Sequence, residues 1–388
     1  MELIQQHDEY PGQPGLYPDN IPEDITDEDE RIFRDTVSTD LDDEQNQRVV
    51  TPPDVFPHQE NLLAVHWHPE FIPLDLIEKR IHAMFPNADN ALIIPTQHNV
   101  LMTIGEYSGV EVDCFSTCFS QKVQLLLHMT ADRAAKASKL ESMLAYTFKY
   151  RSSQLFDFME TIIKPKKGRI EDAADDTGAD EDLIRFCTIY TKKIHELLDR
   201  NLEQAPRLSI KNKLLRDYFD ALRPQYGDRV IKAAQRFLKA VKNIVKSQFS
   251  MKYFYRTSEV IEEARGLGAR IVIPHPEQFW PILLADYDVN GLEVWNPQSH
   301  KLTDFLISVV DRTNQKHPPG HRRMLIFMGD DAHMGEKVRP TRLQVKSKAG
   351  REIGVQPAWD DLEIRKQLII ANMDRADVIN EYRERLHS

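Results

Sequence analysis

Apolar runs in this chain repeatedly end on a histidine or a carboxylate, and any fold it adopts must gather those ends. LLAVHWH (62–68) runs directly into Pro69. Side chains alternate across a strand, so His66 and His68 share one face. His98 closes ALIIPTQH (91–98), Glu111 lies inside GVEVDC (109–114), and His275 closes RIVIPH (270–275). Asp331 and His333, again two apart, belong to the end of the run LIFMGD (325–330). The shared position is the C-terminal end of a buried strand, where a (β/α) barrel assembles its site. One histidine there is commonly a hydrogen-bonded structural residue. Five separate strand ends with ligand-type side chains point instead to a common centre. Imidazole with carboxylate suits Zn, Mn or Fe, and a carboxylate can bridge two ions. Ions about 3.5–4 Å apart activate water and offset the charge of a phosphate.

The runs sit in a chain of five segments. Residues 1–58 are acidic and proline-rich and read as an extended arm, with one short helix near 27–36. Short strands and helices alternate over 59–130, the pattern of an α/β sheet or barrel. Residues 131–257 break that rhythm with helical periodicity and read as an insertion. The α/β rhythm resumes over 258–340, and 341–388 reads as a helical extension. At 388 residues the chain is long enough for a full barrel or two domains. No run of apolar residues is long enough to cross a membrane. The opening MELIQQHDEYPGQPG lacks the basic and apolar regions of a secretory signal. Three cysteines, Cys114, Cys118 and Cys187, fit a reducing cytoplasm better than a disulfide scaffold. Cys114 and Cys118 form a weak candidate metal pair whose plainer reading is small buried hydrophobes.

The ordered motifs resemble the PHP superfamily, named for polymerase and histidinol phosphatase domains. His66-Trp67-His68 resembles the opening HxH, Thr96-Gln97-His98-Asn99 a TDHN, and Gly109-Val110-Glu111 the GxE. His275-Pro276 resembles the HP motif, Gly291-Leu292-Glu293-Val294 with Asn296 the GxExxN strand, and Gly329-Asp330-Asp331-Ala332-His333 the GSDAH. The resemblance covers about 61–130 and 255–335. It implies a distorted (β/α)7 TIM-like barrel that binds two or three divalent ions and hydrolyses phosphate esters. By the same resemblance, His66, His68, Glu111 and Asp331 would hold one ion, and Glu111 would bridge to a second with His275 and one further histidine. His98 and His333 would hold a third. For the further histidine the family slot offers Gln124, and His128 stands four residues later; His128 is favoured because imidazole is the better ligand. The family's acidic or histidine ligand after HxH falls in PEFIPLD, where only Glu70 or Asp75 could replace it. His58, His82, His300 and His321 read as surface or structural residues.

The net charge of −11 is unevenly spread. Residues 1–47 hold 15 Asp/Glu against 2 Arg, while 206–256 hold 13 Lys/Arg against 3 Asp. The basic segment carries Phe237, Phe249, Tyr253, Phe254 and Tyr255 among its cations, a combination that suits single-stranded nucleic acid as well as a solvated helix face. Arg256, just before the HP strand, is a candidate phosphate contact and joins Glu111 and Asp331 as a catalytic candidate. No P-loop, GxSxG elbow or dinucleotide GxGxxG follows a strand. The expected activity is therefore hydrolysis of a phosphate ester by metal-activated water, on a small phosphomonoester or nucleotide. Two alternatives are a nuclease acting on nucleic-acid ends and a degenerate barrel used as a binding module. No membrane partner is expected, and the sequence leaves the oligomeric state open.

Overall fold

In a computed structural model, residues 21–388 are described except 167, 286, 317 and 319–321. The reading of 1–20 as part of an arm, and of His321, lies outside the described residues. Those described divide into two compact units, 21–40 with 150–250 and 41–149 with 251–388.

The second unit is mixed α/β and contains the ten strands found among the described residues. They are β1 (Asn61–Ala64), β2 (Trp67–His68), β3 (Asn90–Ile93), β4 (Met102–Ile104), β5 (Tyr107–Ser116), β6 (Gln121–Thr130), β7 (Arg270–Ile273), β8 (Gly291–Trp295), β9 (Leu325–Met328) and β10 (Ala332–His333). Six form one sheet in the order β4-β5-β6-β7-β8-β9, antiparallel as far as β7 and parallel beyond it. β1 pairs with β3 and β2 with β10, both parallel. These are three separate sheets, so the ladders do not draw the closed barrel expected from the motifs. Single backbone hydrogen bonds run between them. Thr96 N donates to Trp67 O (2.9 Å) and Asn99 N to Glu111 O (2.8 Å), while Ile94 N to Ala64 O (2.8 Å) and Asp331 N to His66 O (2.9 Å) extend the β1–β3 and β2–β10 ladders.

β9 is apolar at every position and β6 is buried from Leu125 to Thr130, because both of their faces are covered there. Leu126, Val272, Leu292 and Ile326 meet Val260, Leu306 and Tyr382 of the flanking helices in one core. Trp67, Ile77, Ile81, Met84 and Ala332 form a second core under β2 and β10. The helices Ala131–Ala134 and Ser138–Phe148, read as the start of the insertion, pack with the strands. Leu140, Met143 and Leu144 recur at helical spacing and enter the strand core. Phe115 N donates to Tyr255 O at 2.8 Å, which returns the chain to β5 before residue 257.

The helical unit holds Tyr150–Ile163, Arg169–Thr177, Glu181–Arg200, Lys213–Ala221 and Arg223–Ser247, the last broken at Gly227, whose φ is 76°. The acidic arm is not extended over the described residues. Asp27–Val37 is a helix closed by a Thr26/Asp29 capping box, and it buries Ile32, Phe33 and Val37 against the helical unit's core. Asp29 there meets Lys193 (2.8 Å) and the Tyr218 hydroxyl (3.1 Å). A second helix, Asp43–Val50, belongs to the strand unit. Among the described residues, no helix is long and apolar enough to cross a membrane.

Candidate metal centre

Glu111 stands at the middle of the site. It projects from β5 and is completely buried. Its Oε1 lies 3.3 Å from His275 Nε2 and 3.7 Å from His66 Nε2, and its Oε2 lies 3.6 Å from His68 Nε2 and in closer contact with His98 Nδ1. Neither oxygen accepts a hydrogen bond of ordinary geometry. A buried carboxylate left so is costly unless something else meets it.

Asp331 forms the opposite wall. Its Oδ1 is 3.2 Å from both His68 Nε2 and His333 Nε2, and 3.9 Å from His66 Nε2. Its Oδ2 faces away, accepting from Gln298 Nε2 at 3.0 Å and from the Arg351 guanidinium. The backbone here is strained: Asp331, His275, Asn99 and Glu70 all have positive φ, between 27° and 54°. Non-glycine residues pay for that conformation only where the surroundings hold them in it, which is common at functional sites.

Glu293, from β8, sets the orientation of two of these groups. Its Oε1 is 2.5 Å from His66 Nδ1 and its Oε2 accepts the His275 backbone N–H at 2.9 Å. The contact at Nδ1 turns the other ring nitrogen of His66 toward Glu111 and Asp331. Gly329 makes room for it, since a Cβ there would lie 2.1 Å from Glu293 Oε1. Burial alone would push the His66 imidazole down. The carboxylates of Glu293, Asp331 and Glu111 outweigh burial and raise it to about 10. Burial would likewise push Glu111 up, yet the surrounding imidazoles, His98 foremost, hold it well below the usual carboxylate range.

The donor set fits divalent ions. Two groups, His66 with His68 and Glu111, and His68 with His98 and His333, each place their ligand atoms within 4.8 Å of one another. His66 Nε2 and both Glu111 oxygens, all buried, lack hydrogen-bond partners. Nitrogen and carboxylate donors converging without partners are what a borderline cation needs.

The structure thus brings together His66, His68, His98, Glu111, His275, Asp331 and His333. Four named candidates stand elsewhere. His128 is buried with Nδ1 2.8 Å from the Tyr382 hydroxyl and Nε2 2.9 Å from Val65 O, so both ring nitrogens are already engaged. Leu126 is the β6 residue opposite Glu111; His128 pairs with Gly109, roughly 7 Å farther along the strand. Gln124 pairs with Asp113, as far away on the other side. Arg256 is an exposed residue at the start of the helix Thr257–Gly266. Its backbone bridges to Phe115, roughly 13 Å along β5 from Glu111. Of the substitutes after HxH, Glu70 reaches the centre, 3.7 Å from His333 Nδ1, whereas Asp75 is exposed beside Lys79. His58, His82 and His300 are exposed. Cys114 is buried and Cys118 exposed, and neither joins a metal group.

Sequence reasoning gave no role to Glu293, Gln298, Lys348 or Arg351. Glu293 carried a usable signal, as an acidic residue inside the apolar run GLEVW. Lys348 lies in a four-residue helix and Arg351 just beyond it, too short a stretch for a period to be read.

No family model matches the chain, and no curated protein matches it. Among solved structures, a crystal structure of a proposed metal-dependent phosphoesterase from Bifidobacterium adolescentis is similar at 17% identity. The match covers 80% of this chain and 96% of that one, with a TM-score of 0.40. At that distance the likeness assigns nothing to this chain.

Proposed function

We propose that this chain is a metal-dependent phosphoesterase of the PHP type, acting on a small phosphomonoester or nucleotide in the cytoplasm. The observation that carries the reading is the buried Glu111 carboxylate, without a hydrogen bond of ordinary geometry at either oxygen and faced by His66, His68, His98 and His275. His66, His68, Glu111 and Asp331 would hold one ion, and Glu111 with His275 would reach a second. Divalent ions in that cage would polarise a phosphoryl oxygen and make water a nucleophile at neutral pH.

The chain's own residues supply the rest. Glu293 fixes the His66 tautomer, while Gln298 and Arg351 hold Asp331 by its outer oxygen. Near-complete burial of Glu111, His68 and His66 keeps bulk water away and strengthens each charge in the site. The hydrogen bonds that link the three sheets support reading the strands as a distorted barrel with this centre at one end.

One observation favours a second reading, action on nucleic-acid ends. Lys232, Arg236, Lys239 and Lys246 are exposed on the helix Arg223–Ser247, at spacings that share one face. The two readings separate in one assay. The wild-type protein with Mn²⁺ should hydrolyse a simple phosphomonoester faster than a phosphodiester, and Asp331→Ala should lose that turnover by at least 10³-fold, on the order of one essential electrostatic group. Preference for the diester would move the assignment to nucleic acid. Equal turnover in Asp331→Ala would place the chemistry elsewhere.

A further inference from the structure

We infer that the ammonium of Lys348 takes the place of a third ion, so that the centre holds two ions and one fixed lysine cation. The inference rests on the metal-dependent reading above. Lys348 Nζ lies 2.5 Å from His333 Nε2, the same nitrogen that faces Asp331 Oδ1 at 3.2 Å. A neutral imidazole nitrogen has one lone pair. A metal ion would take that pair at about 2.0–2.1 Å. The ammonium occupies the same direction, so an ion and Lys348 cannot both use His333 Nε2.

The surroundings form a cation position with or without a metal. Glu70 Oε1 lies 3.7 Å from His333 Nδ1, and a Cβ on Gly335 would come within 2.2 Å of Glu70 Oε2. Glu70 is therefore packed tightly into this corner on a backbone with φ of 54°. His98 closes the other side, its ring centroid 6.0 Å from that of His333. His68, His98 and His333, whose ligand atoms lie within 4.8 Å of one another, would together bind an ion were the lysine absent. With it present, the charge is supplied from the chain. Lys348 sits in the short helix Lys346–Ala349, anchored by Arg351, whose Nε donates to Ser347 O at 2.7 Å and whose NH1 donates to Asp331 O at 3.1 Å. A cation fixed this way is placed to meet a phosphoryl oxygen, as a point charge with rotatable donors.

The test is metal content after saturation with Mn²⁺ and removal of loose ions. Wild type should retain two ions per chain, Lys348→Ala three, and Lys348→Arg, which keeps a cation there, two. Circular dichroism confirms that each variant is folded. A wild-type count other than two overturns the inference, as does a folded Lys348→Ala that stays at two. Two ions without turnover of any phosphate ester would leave Lys348 in its role and defeat the proposed function instead. A wild-type protein that retains no ion defeats both.

Discussion

Glu293 touches no position where an ion would sit, yet it governs the residue that does. Its carboxylate on His66 Nδ1 fixes which ring nitrogen faces Glu111 and makes that nitrogen more basic. Glu293→Gln keeps the shape and removes the charge. Its affinity for Mn²⁺, measured against a competing chelator, should fall about 10–100-fold; an affinity within twofold of wild type would deny Glu293 this role. His128 supports the fold rather than the centre. Burial, assisted by His66 nearby, lowers its pKa from 6.5 to about 3 against the opposing bond to Val65 O. The fold therefore holds His128 neutral. The stability this contributes is complete above pH 6.5 and is lost as pH falls toward 3, at about 1.4 kcal/mol per pH unit. His128→Gln, with a neutral donor and acceptor in place of the ring, should lose less stability than wild type between pH 6 and 4 in urea unfolding. Parallel losses would assign acid sensitivity to other groups.

At the scale of elements, the strands were legible in the sequence, while their register and some of their ends were not. Alternation predicts that His66 and His68 share a face, but β5 runs on to Ser116, so Glu111 stands mid-strand, and β3 stops at Ile93, before His98. Nothing in VQLLLHM tells that Leu126, rather than Gln124 or His128, lies opposite Glu111, because register is set by pairing with β5. The short helix expected near 27–36 is there as Asp27–Val37, but its packing was hidden by composition. Its few apolar residues stand among acids, and only burial of Ile32, Phe33 and Val37 shows that it is a packed element. It is tied down by Asp29, for which burial alone would raise the pKa but the bonds from Lys193 and Thr26 lower it. Asp29→Ala leaves Lys193 buried without its partner, at a cost of about 3–5 kcal/mol. The loss should appear in the urea midpoint of the helical unit; an unchanged midpoint would mean that this helix does not stabilise it.

For the whole molecule, two units imply two reporters. All four tryptophans, Trp67, Trp280, Trp295 and Trp359, lie in the strand unit, while far-ultraviolet dichroism sees the helices of both units. Ions held by Glu111 should stabilise only the unit that binds them, by about 2.7 kcal/mol at a hundred times the dissociation constant. Chelation should therefore lower the tryptophan transition and, with it, only the part of the dichroism change that belongs to the strand unit, leaving a second dichroism transition in place. A simultaneous fall of both would show that the units do not unfold separately. The most direct test of the account removes all metal from the protein, restores Mn²⁺, and follows phosphate release from a phosphomonoester in wild type and Glu111→Gln. The account predicts no release from the stripped protein, recovery in wild type on adding the ion, and none in the variant. Turnover by the stripped protein, or full recovery in Glu111→Gln, would contradict it.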